Sequence, residues 1–423
     1  SLSDVQAYIE LLDADRQPGQ RIVRTIASHI LLTALVLACM MRAIGVLQTA
    51  APITADTRFN LALLMLCACA ILGRVVSYFE PTGYVIPLAA ATVLYAILAT
   101  VPLAALLGTM ASVLISAQYN YDWRLLIAHT AMSLAGAFSI YKVRRRSDMA
   151  AASLTAAIFG ILAAASILLA SETLLSAQAW RRMALIALNG GICLMAVPAL
   201  LPPLERLFNV TTDIQLLEYS DLNNEILSRL AIEAPATYAH SLMLGQLAEA
   251  AADAIGANGL LARVCAYYHD IGKIMRSEYF TENQSGYNVH DDLSPRMSAR
   301  AIAAHVSQGV ELAREYRLPK PIIDAIYEHH GTCRIGRFYE AALEQQKHGD
   351  VREEDFRYPG PRPQRPETAI LMICDAIESG VRSIKNPTED RVREFIDKII
   401  AQRQASRQFD ECDPTFRQLD TIA

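Results

Sequence analysis

The chain has 423 residues, 53% of them hydrophobic and 19% charged, with a net charge of −5 and a mean hydropathy of +0.23. Soluble domains average about 25% charged residues, yet of the 38 basic and 43 acidic residues only fifteen lie between Thr25 and Leu201. That distribution excludes a single soluble globule, a disordered chain, and a collagen-like or disulfide-stapled scaffold.

The chain opens on Ser1 rather than Met, its first twenty residues are polar, and no signal peptide is visible. It reads as a fragment of a longer protein. A membrane core of about 30 Å needs about 20 apolar residues in a helix. Seven candidate spans follow: 24–47, 59–79, 84–100, 102–118, 124–142, 149–170 and 181–201. The third and fourth come from one apolar run, and Pro102 is the predicted break. The densest basic cluster in a short loop, Lys142, Arg144, Arg145 and Arg146, is placed in the cytoplasm. The carboxyl terminus is then inside and the amino terminus outside. Arg181 and Arg182 fall on the wrong side for this rule. His29 and His129 lie near span ends without an acidic partner in register, which points to structural or interfacial roles. Small-residue runs at 151–157 and 163–166 suit close helix packing.

After Pro202-Pro203 the composition changes. From there on the chain carries nine more acids than bases, which disfavours a nucleic-acid polymer as partner. The stretch 212–230 is charged and reads as one linker helix. Further helices are expected over 237–255, 257–270, 295–316, 319–328, 366–382 and 389–404, with almost no alternating strand pattern. The polar segments 277–293 and 352–365 read as functional loops. Eight scattered cysteines with no CxxC read as buried small hydrophobes rather than as a disulfide or zinc framework.

Seven of the nine histidines lie in this half: His240, His269, His290, His305, His329, His330 and His348. A lone His-Asp pair means little, and His290-Asp291 reads as a loop contact. His269-Asp270 differs. It ends an apolar helix and is followed by Gly272, the pattern by which a helix end delivers ligands to a buried site. His329-His330 also ends a helix, with Gly331 as the stop. Asp375 lies in the apolar run Ile370–Cys374, where an unpaired carboxylate is costly.

The ordered motifs resemble the HD superfamily of metal-dependent phosphohydrolases. More closely, they resemble the seven-transmembrane HD phosphodiesterases, whose known members cleave cyclic di-AMP. The resemblance runs from the spans through Glu282-Asn283-Gln284, His290-Asp291-Asp292-Leu293-Ser294-Pro295, His329-His330-Gly331-Thr332 and Asp355-Phe356-Arg357-Tyr358-Pro359-Gly360-Pro361 to Asp375-Ala376-Ile377-Glu378-Ser379. It implies an all-α chain: a polytopic transmembrane helix bundle followed by an all-helical cytoplasmic HD domain. The implied domains are the tail of a missing extracellular domain (1–21), the bundle (22–203), a linker helix (204–230) and the HD domain (231–423).

The family's metal ligands correspond to His240, His269, Asp270, His305, His329, His330 and Asp375. Seven ligands suit two divalent transition-metal ions, manganese or iron. In this reading Asp270 bridges them. His240, His269 and Asp375 serve one ion, and His305, His329 and His330 the other. Asp270 is also a candidate proton acceptor, and Lys273 a candidate catalytic residue and phosphate contact. The implied reaction is in-line hydrolysis of cyclic di-AMP to linear pApA at the cell membrane, regulated by an extracellular sensor region. The expected partners are the cyclic dinucleotide, the lipid bilayer and a second copy of the chain.

The subfamily that cleaves cyclic di-GMP carries Asp-Gly-Tyr-Pro after its His-His, whereas here His330 precedes Gly331-Thr332-Cys333-Arg334. HD hydrolases of ppGpp are typically soluble. A receptor whose HD module only binds nucleotide need not keep all seven ligands. A transporter is at odds with the few charges in the spans.

Overall fold

The computed structural model describes residues 18–47, 53–140, 145–171, 176–284, 286–345, 351–382, 384, 387–412 and 414–422. Most of the expected tail 1–21, Lys142 and Arg144 of the basic cluster, and His348 lie outside the described residues. The chain divides into two compact units, Ser1–Ile214 and Gln215–Ala423.

The first unit holds seven helices among the described residues: α1 (Pro18–Val46), α2 (Ala55–Val76), α3 (Leu88–Leu98), α4 (Val101–Gln118), α5 (Trp123–Ser139), α6 (Arg146–Ala170) and α7 (Ala177–Phe208). Side chains fix their starts. Thr54 accepts a hydrogen bond from the Thr57 amide and Ser176 from the Ala179 amide, while the Asp148 carboxylate accepts from the Arg145 amide. Five of the helices, α1, α2, α4, α6 and α7, are long and apolar enough to cross a membrane. The chain is a multi-pass membrane protein.

The long apolar run does break ahead of Pro102, which sits in the first turn of α4 behind Thr100. The third span differs from expectation. Only 11 residues of it are helical, a rise of about 16 Å. Residues 80–87 enter the bundle as irregular backbone, because Pro81, Gly83 (φ +75°) and Pro87 do not continue a helix. Irregular backbone inside a bilayer survives only where protein groups satisfy it. Here Asn189 of α7 donates through Nδ2 to the carbonyls of Tyr84 (3.0 Å) and Ile86 (2.6 Å). His129 of α5 donates through Nε2 to the Gly83 carbonyl (3.1 Å). The Glu80 carboxylate accepts from the amides of Thr82 and Gly83. His129 is therefore a buried structural group rather than an interfacial one. Nine of the eleven residues of α3 are buried, which makes it the enclosed centre of the bundle.

This arrangement makes Asn189→Leu a strong test. The change keeps volume but leaves two buried carbonyls unpaired, at a cost of roughly 1–3 kcal/mol each. The detergent-solubilised variant is expected to melt several degrees lower, and an unshifted melting temperature would contradict the bracing role. Two arginines near the start of α7 meet groups of this same segment. Arg181 lies 3.6 Å from Glu80, and Arg182 sits over the Tyr84 ring at 5.9 Å.

Helix α7 does not stop at residue 201. It runs through Pro202 and Pro203 to Phe208 and ends where Asn209 turns left-handed (φ 51°). The expected linker helix over 204–230 is consequently not one helix. Its first residues are the last turns of α7. The remainder forms α8 (Asp213–Tyr219) and α9 (Glu225–Glu233). Asp221 accepts from the Asn223 amide and Asn224 caps α9 through the Ile226 amide, so the chain turns between them. Leu216, Ile226, Leu227 and Leu230 are buried in the core of the second unit.

That unit is helical throughout, and no strand occurs among its described residues. After α9 its α-helices are α10 (Pro235–Ala254), α11 (Gly259–Tyr268), α12 (Pro295–Glu315), α13 (Lys320–Glu328), α14 (Gly336–Gln345), α15 (Pro366–Val381), α16 (Glu389–Ala405) and α17 (Phe416–Ile422). The main core gathers Leu244, Val264, Tyr268, Ile326 and Leu371 from α10, α11, α13 and α15. Helix α14 was not anticipated. Ala342 is its one buried residue, and Phe338 and Tyr339 pack against the same small cluster with Ala299 and Phe356. All eight cysteines are free thiols.

Candidate metal centre

Five segments converge on one point. His240 sits in the second turn of α10. The apolar α11 ends at Tyr268 and delivers His269 and Asp270. His305 lies midway along α12, His329 and His330 follow the end of α13, and Asp375 lies on α15. Gly331 turns left-handed (φ 50°), as its stop position requires. Gly272 plays another part than the predicted helix stop. A Cβ there would meet the His305 carbonyl oxygen at 1.9 Å and the Gly309 amide at 2.5 Å. Its missing side chain lets the Asp270 segment lie directly on α12.

All seven sequence-predicted donors meet. His305, His329 and His330 can each turn a ligand atom to within 4.8 Å of the others. The same holds for His240, His269 and Asp375, and for His269, Asp270 and His329. Asp270 lies between the first two groups. Its Oδ2 is 3.1 Å from His269 Nε2, and its Oδ1 is 3.3 Å from His305 Nε2 and 3.8 Å from His329 Nε2.

The rings are set by what stands behind them. His269, His305 and His329 each point Nδ1 at the carbonyl three residues upstream, at 2.7, 2.7 and 2.8 Å. A carbonyl only accepts, so Nδ1 carries the proton and Nε2 presents its lone pair to the centre. His269 Nε2 and Asp270 Oδ1 are buried without a hydrogen-bond partner. Buried polar atoms are normally satisfied. Convergent lone pairs of nitrogen and carboxylate oxygen, left unsatisfied by the protein, fit divalent metal ions.

Charge is arranged to match. Burial, with repulsion from neighbouring histidines, pushes His329 down to about 3 and His330 well below the usual imidazole range. Burial lowers His305 as well. Against its own burial, Asp270 is held well below the usual carboxylate range by His269, Lys273 and His305. Asp375 is likewise lowered, chiefly by its bond to His240. For His240 burial acts downward, but Asp375 and Asp270 raise it to about 9.

A pH dependence of the metal-free chain follows. Folded His329 takes up a proton near pH 3, whereas the unfolded chain does so near 6.5. The unfolded state binds more protons between those values, so stability rises with pH there and is lost as pH falls below 6.5. At pH 5 the loss from His329 is about 2 kcal/mol, and His305 and His330 act in the same sense. His240 is opposite: its contribution is full below 6.5 and lost as pH rises through 9. In the presence of chelator the chain is expected to melt lower at pH 5 than at pH 7. Equal melting temperatures would refute the neutral buried rings.

Lys273 stands at the edge of the centre. Its ammonium lies 2.8 Å from Asp270 Oδ2 and 2.8 Å from Glu282 Oε1, over the Phe280 ring. Those two carboxylates raise its pKa against the pull of burial. The polar loop is tied down beside it. Asn283 Oδ1 accepts from the amides of Ala236 and Thr237 at the start of α10. His290 bonds the Tyr279 carbonyl at 2.8 Å, a loop contact as expected. Sequence reasoning missed three neighbours. Glu378 bonds His240 Nδ1 at 2.6 Å, Arg382 holds Glu378, and Tyr358 stacks on His330 with centroids 4.1 Å apart. Glu378 had a signal: it follows Asp375 by one turn of the same helix.

Comparisons with known proteins find relatives of both parts of the chain. The family described as 7TM receptor with intracellular HD hydrolase matches residues 23–212, and the HD domain matches residues 237–380. The cyclic-di-AMP phosphodiesterase PgpH of Bacillus subtilis (strain 168) is 36% identical over 366 residues, covering 84% of this chain and 51% of that protein. PgpH of Listeria monocytogenes serotype 1/2a (strain 10403S) is 40% identical over 294 residues, covering 68% and 41%. The crystal structure of the L. monocytogenes PgpH HD domain in complex with cyclic-di-AMP is 47% identical, with a TM-score of 0.45, over 47% of this chain and 91% of that one. The chain thus spans about half the length, or less, of these full-length relatives. Matched in both its membrane half and its HD half, the chain belongs to the family of seven-transmembrane proteins that carry an intracellular HD hydrolase domain.

Proposed function

We propose that the chain is a membrane-bound, metal-dependent phosphodiesterase that hydrolyses cyclic di-AMP to pApA. The observation that carries this reading is the convergence of seven donors, with three rings held in the ligating tautomer and two donor atoms left unsatisfied by the protein. Two relatives named as cyclic-di-AMP phosphodiesterases support the substrate.

In this reading His240, His269 and Asp375 would hold one ion and His305, His329 and His330 the other, with Asp270 within reach of both groups. Two divalent ions, manganese or iron, would when bound acidify water and neutralise phosphoryl oxygens. The chain's own groups do the rest. Asp270, kept ionised by Lys273 and the histidines, is able to accept the proton of an attacking water. Lys273, fixed by Glu282, sets the orientation of Asp270 and places positive charge at the rim where a phosphodiester enters. Tyr358 packs His330 in place. The HD half faces the cytoplasm and the amino terminus lies outside. The basic cluster ending in Arg145 and Arg146 supports that orientation, and Glu80 and Tyr84 offset the contrary arginines.

The test is turnover by the purified chain in detergent with manganese. Cyclic di-AMP should yield pApA faster than cyclic di-GMP is cleaved. No turnover of either would overturn the enzyme reading, and preference for cyclic di-GMP would overturn the substrate.

A further inference from the structure

Glu378 and Arg382 lie outside the seven donors, yet they bind one of them. Asp375 and Glu378 are one turn apart on α15 and share a face. Together they grip both nitrogens of His240: Asp375 Oδ1 lies 3.2 Å from Nε2, and Glu378 Oε2 lies 2.6 Å from Nδ1. The Glu378 side chain is 5% exposed, so its charge needs a partner. Arg382, one further turn along, supplies it through Nε at 2.8 Å and through Nη2.

The other buried rings are backed differently. His269, His305 and His329 each rest Nδ1 on a backbone carbonyl. Among these four, His240 is the one backed by an ionised carboxylate. A carboxylate behind a ligating imidazole fixes the ring and raises its basicity. A neutral carbonyl fixes the ring but polarises it less, because hydrogen bonds to charged acceptors are roughly twice as strong. The two donor groups are therefore electronically unequal. His240, His269 and Asp375 combine one charged ligand with one carboxylate-backed ring. His305, His329 and His330 are three neutral rings.

We infer that Glu378, anchored by Arg382, is a positioning residue that strengthens His240 as a donor and makes its ion the more tightly held of two. This rests on the two-metal reading above.

The experiment is titration of the metal-stripped full chain in detergent with manganese, with the free ion followed by electron paramagnetic resonance. The unaltered chain should show two classes of site. Glu378→Gln should weaken the tighter class 10- to 100-fold and leave the weaker class within about twofold. Its metal-free melting temperature should stay within a few degrees of the unaltered chain. Arg382→Met, at a half-exposed position where folding is not at risk, should weaken the same class by a smaller factor. If the unaltered chain takes up no manganese, the two-metal reading falls, and this inference with it. If it takes up two ions and both variants bind them unchanged, or lose the weaker class instead, the two-metal reading stands and the role of Glu378 is refuted.

Discussion

On the proposed reading, Asp270→Ala is expected to lower hydrolysis of cyclic di-AMP on the order of 1,000-fold or more, because a metal-assisted step loses several kcal/mol and each 1.36 kcal/mol is tenfold in rate. The reason is position. Asp270 lies within 4 Å of His269, His305 and His329 alike, so its removal disturbs both halves of the centre. Manganese uptake by the stripped chain should fall for both classes of site, unlike the selective effect at Glu378. The change also takes one of two carboxylates from Lys273. Glu282 remains at 2.8 Å, so the ammonium keeps a partner and the domain should still fold. Asp270→Asn separates charge from shape. It keeps the volume and loses the anion, and it should be nearly as inactive. Circular dichroism and melting should show an intact helical chain in both. Hydrolysis retained by either variant would refute the assigned centre.

What was legible in the sequence depended on whether the cause was local. Helix ends that carry His269-Asp270 and His329-His330 are written in adjacent residues, and so is an aspartate in an apolar run. Family motifs then joined them to His240 and His305, which carry no local mark. The partners behind the ligands were less visible. Glu378 could have been found from its one-turn spacing to Asp375. Glu282 and Asn283 could not, because their roles arise only when the polar loop reaches Lys273 and the start of α10. In the membrane half, hydropathy located the apolar runs but not the short α3. Its irregular approach exists because Asn189 and His129, distant in sequence, satisfy the backbone there. Pro202 and Pro203 suggested a boundary, yet neighbouring structure carries α7 past them. The predicted linker helix failed for the opposite reason. Asp221 and Asn224 are local turn and cap signals inside a charged stretch whose helical period outweighed them.

Gly272→Ala is the second substitution with a large expected effect, and it alters none of the seven donor side chains. The added methyl would lie 1.9 Å from the His305 carbonyl oxygen and 2.5 Å from the Gly309 amide nitrogen. Both are backbone atoms, so no side chain can rotate away. The segment after Asp270 must lift off α12, or α12 must shift. Overpacking of this kind costs typically 1–3 kcal/mol and occasionally more. Catalysis should suffer beyond that. The Asp270-to-His305 distance is 3.3 Å, and misplacement by 1 Å can cost about 100-fold. The variant is expected to melt several degrees lower and to lose at least about 100-fold in activity, with weaker manganese binding at the class of site that includes His305. Gly256→Ala serves as the control. Gly256 also lies in the HD unit, with φ +76° and open space around its Cβ position, so its substitution strains the backbone without pressing on the centre. It should reduce stability and spare activity per folded molecule. Equal activity in Gly272→Ala and the unaltered chain would show that contact between the Asp270 segment and α12 does not set the geometry of the centre.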